Sequence, residues 1–195
     1  MKKKYFLFLF VTLSMLVTTN LQAQNLKNLE NNKGFKMYKL GTKFNMGYGM
    51  KKKDASGADK VFIDYTREKI DDIPVKAIEL YYLNDTLSKI IVRIPTESYI
   101  KLIDACKNSF GPPTDDLSSN ESTSKTKKEV ANNSNNYRDE YVWKTKLFSM
   151  EYIYSYPKIS GDVYGLKELY LVYSLNDFSA RLQRVNKGKY TSKDF

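Results

Sequence analysis

The sequence predicts an α+β fold: a mainly antiparallel sheet with one principal amphipathic helix packed on one face. Two patterns carry this reading. Short runs with an apolar residue at every second position recur along the chain, without the long helical spacers that parallel pairing needs. The stretch Tyr99–Phe110 switches to helical spacing. Strands, then a helix, a polar loop and more strands is the α+β order.

The chain of 195 residues opens with Lys2, Lys3 and Lys4 ahead of an apolar run from Tyr5 to Val17, and Ala23 later meets Gln24. A basic start, a short apolar run and a small residue at the junction form the layout of a secretory signal peptide. The apolar run is 13 residues long, short of the ~20 that span a bilayer. The expected organisation is a signal peptide at 1–23 and a flexible, Asn-rich leader at 24–33. A single α+β domain follows at 34–175, interrupted by a mobile polar insertion at 114–136, and 176–195 forms a C-terminal tail. No cysteine stands near the cut to carry a lipid, and no second segment is long and apolar enough to cross a membrane. The mature chain is therefore expected to be exported, periplasmic or extracellular. The Lys-rich start and Ala-Gln junction resemble exported proteins of Gram-negative bacteria.

Regular structure is expected from Phe35, with a short strand through Met37 and Tyr38 to Leu40, ended by Gly41. Residues 45–60, with their glycines and the Lys51–Lys53 run, read as a loop, and Val61–Thr66 as a strand. In Val75–Leu83, Ile78, Leu80 and Tyr82 share one face, and Ile90, Val92 and Ile94 share a face in the next run. Asn84 and Asp85 lie between them and tolerate the positive φ of a tight turn, so the two runs form an antiparallel hairpin. Pro95 stops the second strand and Thr96 is the expected helix N-cap. Tyr99, Leu102, Ile103, Cys106 and Phe110 then make one helical stripe, closed by Gly111 and the pair Pro112-Pro113. Residues 114–136 hold too little apolar surface to offset their ordering entropy. Beyond them a strand runs from Tyr137 to Lys144. In the next, Phe148, Met150, Tyr152, Tyr154 and Tyr156 line one face, and Leu169, Leu171 and Tyr173 do so within Leu166–Ser174. A short helix around Phe178–Val185 precedes a basic tail.

The chain contains no histidine. That removes Ser-His-Asp and Cys-His nucleophile systems, HExxH zinc proteases and histidine metal sites together. Cys106 is the only cysteine, so no intramolecular disulfide exists, and its place on the apolar stripe marks a buried, inert thiol. No cofactor, metal or catalytic residue is expected. The net charge of +10 falls to +7 once the three signal lysines are gone. Export argues against a nucleic-acid partner, and the Lys51–Lys53 and Lys125, Lys127, Lys128 groups lack the interleaved aromatics of a nucleic-acid platform. Glu79, Glu140, Glu151 and Glu168 lie in or beside predicted strands, but no spacing pairs two of them, and each reads as solvent-facing. Sixteen tyrosines against one tryptophan make Tyr152, Tyr154 and Tyr156 a candidate ligand platform. The plainer reading places their rings in the core, because Phe148 and Met150 share that face. Three stretches fit the N-glycosylation pattern: Asn84-Asp85-Thr86, Asn120-Glu121-Ser122 and Asn132-Asn133-Ser134. Asp85-Thr86-Leu87 resembles a bacterial O-glycosylation motif, making Thr86 a candidate modification site.

The segments Gly34-Phe35-Lys36, Leu40-Gly41-Thr42, Tyr65-Thr66-Arg67 and Ile73-Pro74-Val75 lead into the run Tyr82-Leu83-Asn84-Asp85-Thr86-Leu87-Ser88-Lys89-Ile90. A helix ending in Phe110-Gly111-Pro112 follows. This series resembles uncharacterised small exported bacterial α+β proteins with a Gly-Phe…Leu-Gly-Thr start, a strand hairpin and a helix ending in aromatic-Gly-Pro. More loosely it is similar to β-lactamase-inhibitor-like modules of envelope assembly proteins. These motifs are turns and caps, so the resemblance carries no catalytic residue. The expected function is a non-enzymatic envelope or secreted binding module whose partner is an envelope protein or glycan. The alternatives are a carbohydrate-binding protein using exposed tyrosines and a hydrolase using carboxylates.

Overall fold

Alternating apolar residues become strands because each buries one side of a pleat. The structure, a computed structural model, describes residues 26–44, 51–53, 60–65, 67–118, 136–157 and 167–191. Helix α1 covers residues 26–32, followed by β1 (Gly34–Phe35), β2 (Tyr38–Lys39), β3 (Lys51–Lys53) and β4 (Lys60–Asp64). Then come β5 (Lys69–Ile70), β6 (Ile73–Pro74), β7 (Ala77–Leu83), β8 (Thr86–Ile94) and helix α2 (Tyr99–Phe110). The last elements are β9 (Asp115–Asp116), β10 (Asn136–Lys144), β11 (Phe148–Pro157), β12 (Glu168–Leu175) and helix α3 (Phe178–Thr191). Eight strands form one sheet in the order β3-β4-β7-β8-β12-β11-β10-β9. Every pairing in it is antiparallel. The predicted α+β class, a large antiparallel sheet with a helix packed on it, is what the chain forms.

Two meanders, β3-β4-β7-β8 and β9-β10-β11-β12, meet at the β8–β12 seam, where Ile94 faces Leu169 and Lys89 faces Ser174. Helix α2 leaves β8 in mid-sheet and delivers the chain to β9 at the far edge, crossing one face on the way. Its stripe buries Leu102 and Cys106. Beneath lie Trp143, Met150, Tyr152, Leu169, Leu171 and Tyr173, part of one core cluster. Both helix ends are tied to the sheet. At the start Tyr152 Oη donates to the Tyr99 carbonyl at 3.0 Å. At the end the fully buried Trp143 donates its indole N–H to the Gly111 carbonyl at 2.9 Å. Gly111 has φ 76° and donates its own N–H to Lys107. Pro112 and Pro113 then prevent continuation.

The β1–β2 hairpin and α1 cover the other half of this core face, with Leu29, Phe35 and Leu40 joining the cluster. At Gly34 a Cβ would lie 2.3 Å from the Tyr38 carbonyl oxygen, so only glycine permits this turn. Tyr38 donates its hydroxyl to Asp64. Asn84 and Asp85, at φ 50° and 58°, make the expected two-residue turn between β7 and β8. A bulge follows: Tyr81 faces Lys89 but Tyr82 faces Leu87, leaving Ser88 extra. The inserted residue returns Leu87 to the core face, against the parity that Lys89 and Ile91 keep.

Several expectations shift. Phe35–Leu40 is not one strand but a hairpin, with Lys36 at φ 52° and Met37 exposed at its tip. Lys51–Lys53, read as loop, is the edge strand β3; charged edges resist further pairing, a cost that propensity does not register. The leader is anchored rather than free from residue 26 onward, because Leu29 is buried. Thr96 does not cap α2; it begins a 3₁₀ turn, Thr96–Ser98, after Pro95. The start of the polar insertion is ordered, since β9 pairs with β10 and the Thr114 hydroxyl donates to the Val142 carbonyl. Helix α3 extends past Val185, through Thr191. Residues 1–25 and 119–135, with the signal-peptide reading and most of the insertion, lie outside the described residues.

The Trp143–Gly111 bond yields a direct test. Trp143→Phe keeps an aromatic ring but leaves the Gly111 carbonyl unpaired, and is expected to lower unfolding stability by about 1–3 kcal/mol. Urea denaturation reads this as a lower midpoint with an unchanged slope.

Candidate functional site

Because side chains alternate, the strands that build the core also build a second face, opposite α2. The register fixes its occupants. One row runs Ala77, Arg93, Tyr170, Ile153, Glu140 across five strands. A second runs Glu79, Ile91, Val172, Glu151, Val142, and a third Tyr81, Lys89, Ser174, Ser149, Lys144. Val172, Ile153 and Val142 are buried although only side chains of this face lie beside them in the rows. Long polar side chains shield apolar neighbours with their stems, and helix α3 reaches this face, with the Phe178 ring beside Lys89.

The first cluster joins three strands. Glu79, only 2 % exposed, receives the Arg93 Nε–H at 2.7 Å on one oxygen and the Tyr81 hydroxyl at 2.8 Å on the other. Arg93 also lies 3.8 Å from Glu168. Tyr170 donates to Glu168 at 2.7 Å, and the Arg93 guanidinium stands 5.8 Å from the Tyr170 ring centroid. Burial, aided by the hydrogen bond to Glu168, pushes the Tyr170 phenol up to about 12. Burial and the bond to Glu79 likewise raise Tyr81. Both phenols therefore stay protonated and act as donors.

The second cluster lies across β8, β9, β10 and β11. Arg138 pairs with Glu140 at 2.7 Å, and Lys144 with Asp115 at 2.8 Å. Glu151 accepts from the Ser149 hydroxyl at 3.3 Å. Its pKa is raised, first by burial and then by the Glu140 carboxylate. Lys89 stands over the rings of Tyr81 and Phe178, at 5.7 and 5.5 Å. Burial lowers its pKa, and the ring faces offset part of the lost hydration.

All four glutamates singled out in the sequence thus come to one face, which spacing along the chain did not show. Glu79 corrects the expectation most: it is buried and ion-paired rather than solvent-facing. Glu140 and Glu151 are diagonal neighbours on adjoining strands, a relation that sets residues about 7–8 Å apart. Arg93, Arg138 and Lys89 were not singled out; their signal was strand parity, readable only once each strand's inward side was known. Among the described residues no group of three metal-ligating side chains occurs.

The tyrosine set does not form an open three-residue platform. Tyr152 and Tyr154 are 2 % and 9 % exposed on the core face, and Tyr156 is part-buried at its rim. They belong instead to a stack. Tyr99 lies on Tyr154 at 4.7 Å, Tyr154 on Tyr156 at 5.2 Å, and Tyr156 against Tyr137 at 5.6 Å. Thr86 is less open than a turn residue: it is part-buried, and its strand bridges Lys43. Asn120, Asn132 and the Lys125, Lys127, Lys128 group lie outside the described residues.

Two outcomes follow from these charges. Arg93→Met takes the Arg93 cation away from the buried Glu79 carboxylate and is expected to cost about 3 kcal/mol, whereas Arg93→Met with Glu79→Leu returns most of it; thermal melts of both variants check this. For Glu151, folding favours the protonated form, so its charge subtracts stability as pH rises from the ordinary value of 4.5 through the raised one. Glu151→Gln keeps the acceptor for Ser149 and is expected to stabilise the protein at pH 7 by up to about 1 kcal/mol, allowing for solvent screening. Melting against pH should show that gain vanish below the ordinary glutamate range. Comparison of the chain with known protein families, curated proteins and solved structures returned no match, so its function is read from these two faces alone.

Proposed function

We propose that the chain is an exported, non-enzymatic binding module that holds an envelope protein or glycan on the sheet face opposite α2. The observation that supports this is the fixed array of that face. Arginines, glutamates and tyrosines of five strands are locked by mutual bonds over an aliphatic floor. Donors and acceptors held in this way lose little freedom on docking, which is what a recognition surface needs. The mixture of signs favours a specific partner over general attraction to polyanions. The arginines also hold Glu79, Glu140 and Glu168 as partners of cations, a poor state for proton transfer.

The bait for the test is the purified chain, immobilised in envelope extract. Ser155 stands on this face between Glu168 and Arg138. Ser155→Tyr adds bulk there without adding a charge that would compete for Glu168 or Glu140. The expected result is capture of a defined protein or glycan, reduced roughly tenfold or more in the variant, with the melting temperature unchanged. Undiminished capture by the variant moves binding off this face, and capture no greater than on a blank surface removes the binding reading. Export is tested by the mass of the protein from its producing cell, which should begin at Gln24.

A second reading, a hydrolase using carboxylates, is favoured by the Glu140 and Glu151 neighbours, one paired with Arg138 and one raised in pKa. Paired acids of unlike environment are the raw material of glycoside hydrolysis. Turnover of glycan substrates that survives Glu140→Gln with Glu151→Gln would count against it.

A further inference from the structure

A cavity of about 280 Å³ lies between helix α2, the β1–β2 hairpin and strand β12. Its walls mix polar and apolar groups, and the apolar part includes Phe35, Phe110 and Leu171. Tyr173 lines it as well. That residue is 4 % exposed, and among the described residues its hydroxyl has no hydrogen-bond partner. A buried hydroxyl without a partner is unfavourable, so its place beside a cavity needs a reason. Cys106 offers only a weak partner: burial pushes its thiol up to about 12, so it carries no charge.

The rim carries both signs of charge. Lys36 and Lys39 come from the hairpin and Asp71 from the turn between β5 and β6, with Asn32 and Ser109 beside them. Lys36 is shared at 3.9 Å with Glu68. Lys39 has no anionic partner among the described residues. A small ligand that satisfies this lining has a flat apolar body, a hydrogen-bonding group at its inner end, and an outer end bearing both an anion and a cation. We infer that the cavity binds a free aromatic α-amino acid, tyrosine better than phenylalanine. The ring lies among Phe35, Phe110 and Leu171, and the phenol meets the Tyr173 hydroxyl. At the rim the carboxylate faces Lys39 and the ammonium faces Asp71. The volume sits at the lower end of small-molecule sites, which suits one such residue and not a longer peptide.

This inference is independent of the second sheet face and fails or stands separately from it. The test is titration of the purified protein with tyrosine, phenylalanine and 4-hydroxyphenylpropionate, read by saturation-transfer NMR. Tyrosine is expected to bind with a Kd of about 1 mM or tighter, as suits a ligand of this size. Phenylalanine, and the hydroxyphenyl acid that lacks an ammonium, should bind more weakly. Tyr173→Phe deletes the unpaired hydroxyl, so the unliganded protein should melt no lower, while tyrosine loses roughly tenfold in affinity and phenylalanine loses none. A merely structural Tyr173 would not move that ratio. The inference is overturned if tyrosine does not bind. An equal loss of tyrosine and phenylalanine affinity in Tyr173→Phe overturns it too.

Discussion

The structure depends on the register of β8 against β12. This seam is where two meanders become one sheet, and it decides what each face contains. With Arg93 opposite Tyr170 and Val92 opposite Leu171, one side receives the aliphatic set beneath α2 and the other receives the ion-paired network. Because side chains alternate, a slip of one residue would exchange the two sets. Arg93 would enter the core and Val92 would meet water. The bonds on the second face oppose that slip, since Arg93 reaches Glu79 on one neighbouring strand and Glu168 on the other.

The fold lacks a disulfide and compensates with polar pins at the points where packing alone is weak. Helix α2 is tied at both termini by side chains of β10 and β11, and both acceptors are backbone carbonyls. Such bonds fix the position of the helix along its axis, which an apolar stripe leaves free to slide. The cavity beside Cys106 lies between those two fixed ends, so its dimensions follow from the pins as much as from the residues lining it.

The long strands, the Asn84-Asp85 turn and α2 were legible because local physics determines them. Period-two and helical spacing, positive φ and the Gly-Pro-Pro stop each act within a few residues. What the sequence hid was of two kinds. Edge strand β3 reads as loop because three lysines look solvated, and only the pairing with β4 gives them a strand's geometry. The candidate face was hidden because it is assembled across strands. Glu140 and Glu151 are 11 positions apart in sequence but diagonal neighbours in space, and Glu79 is joined to Glu168 through an arginine on the strand between. Ser88 adds a subtler case, since one extra residue reverses the parity that alternation assigns to Leu87. Tyr152 and Tyr154 sit in the core because they share a strand face with Phe148 and Met150, as their alternation implied.

The seam has a consequence in time. Its partners, from Ile94 with Leu169 to Lys89 with Ser174, are distant in the chain. Neither β8 nor β12 can be completed until the polypeptide between them has been gathered in. The two meanders and α2 rely on nearer neighbours, whereas the closure that unites them carries the largest loop entropy in the sheet. Topologies dominated by such distant pairing fold slowly. The chain thus spends a comparatively long interval with the edges of β8 and β12 that later pair still open, exposed to mispairing.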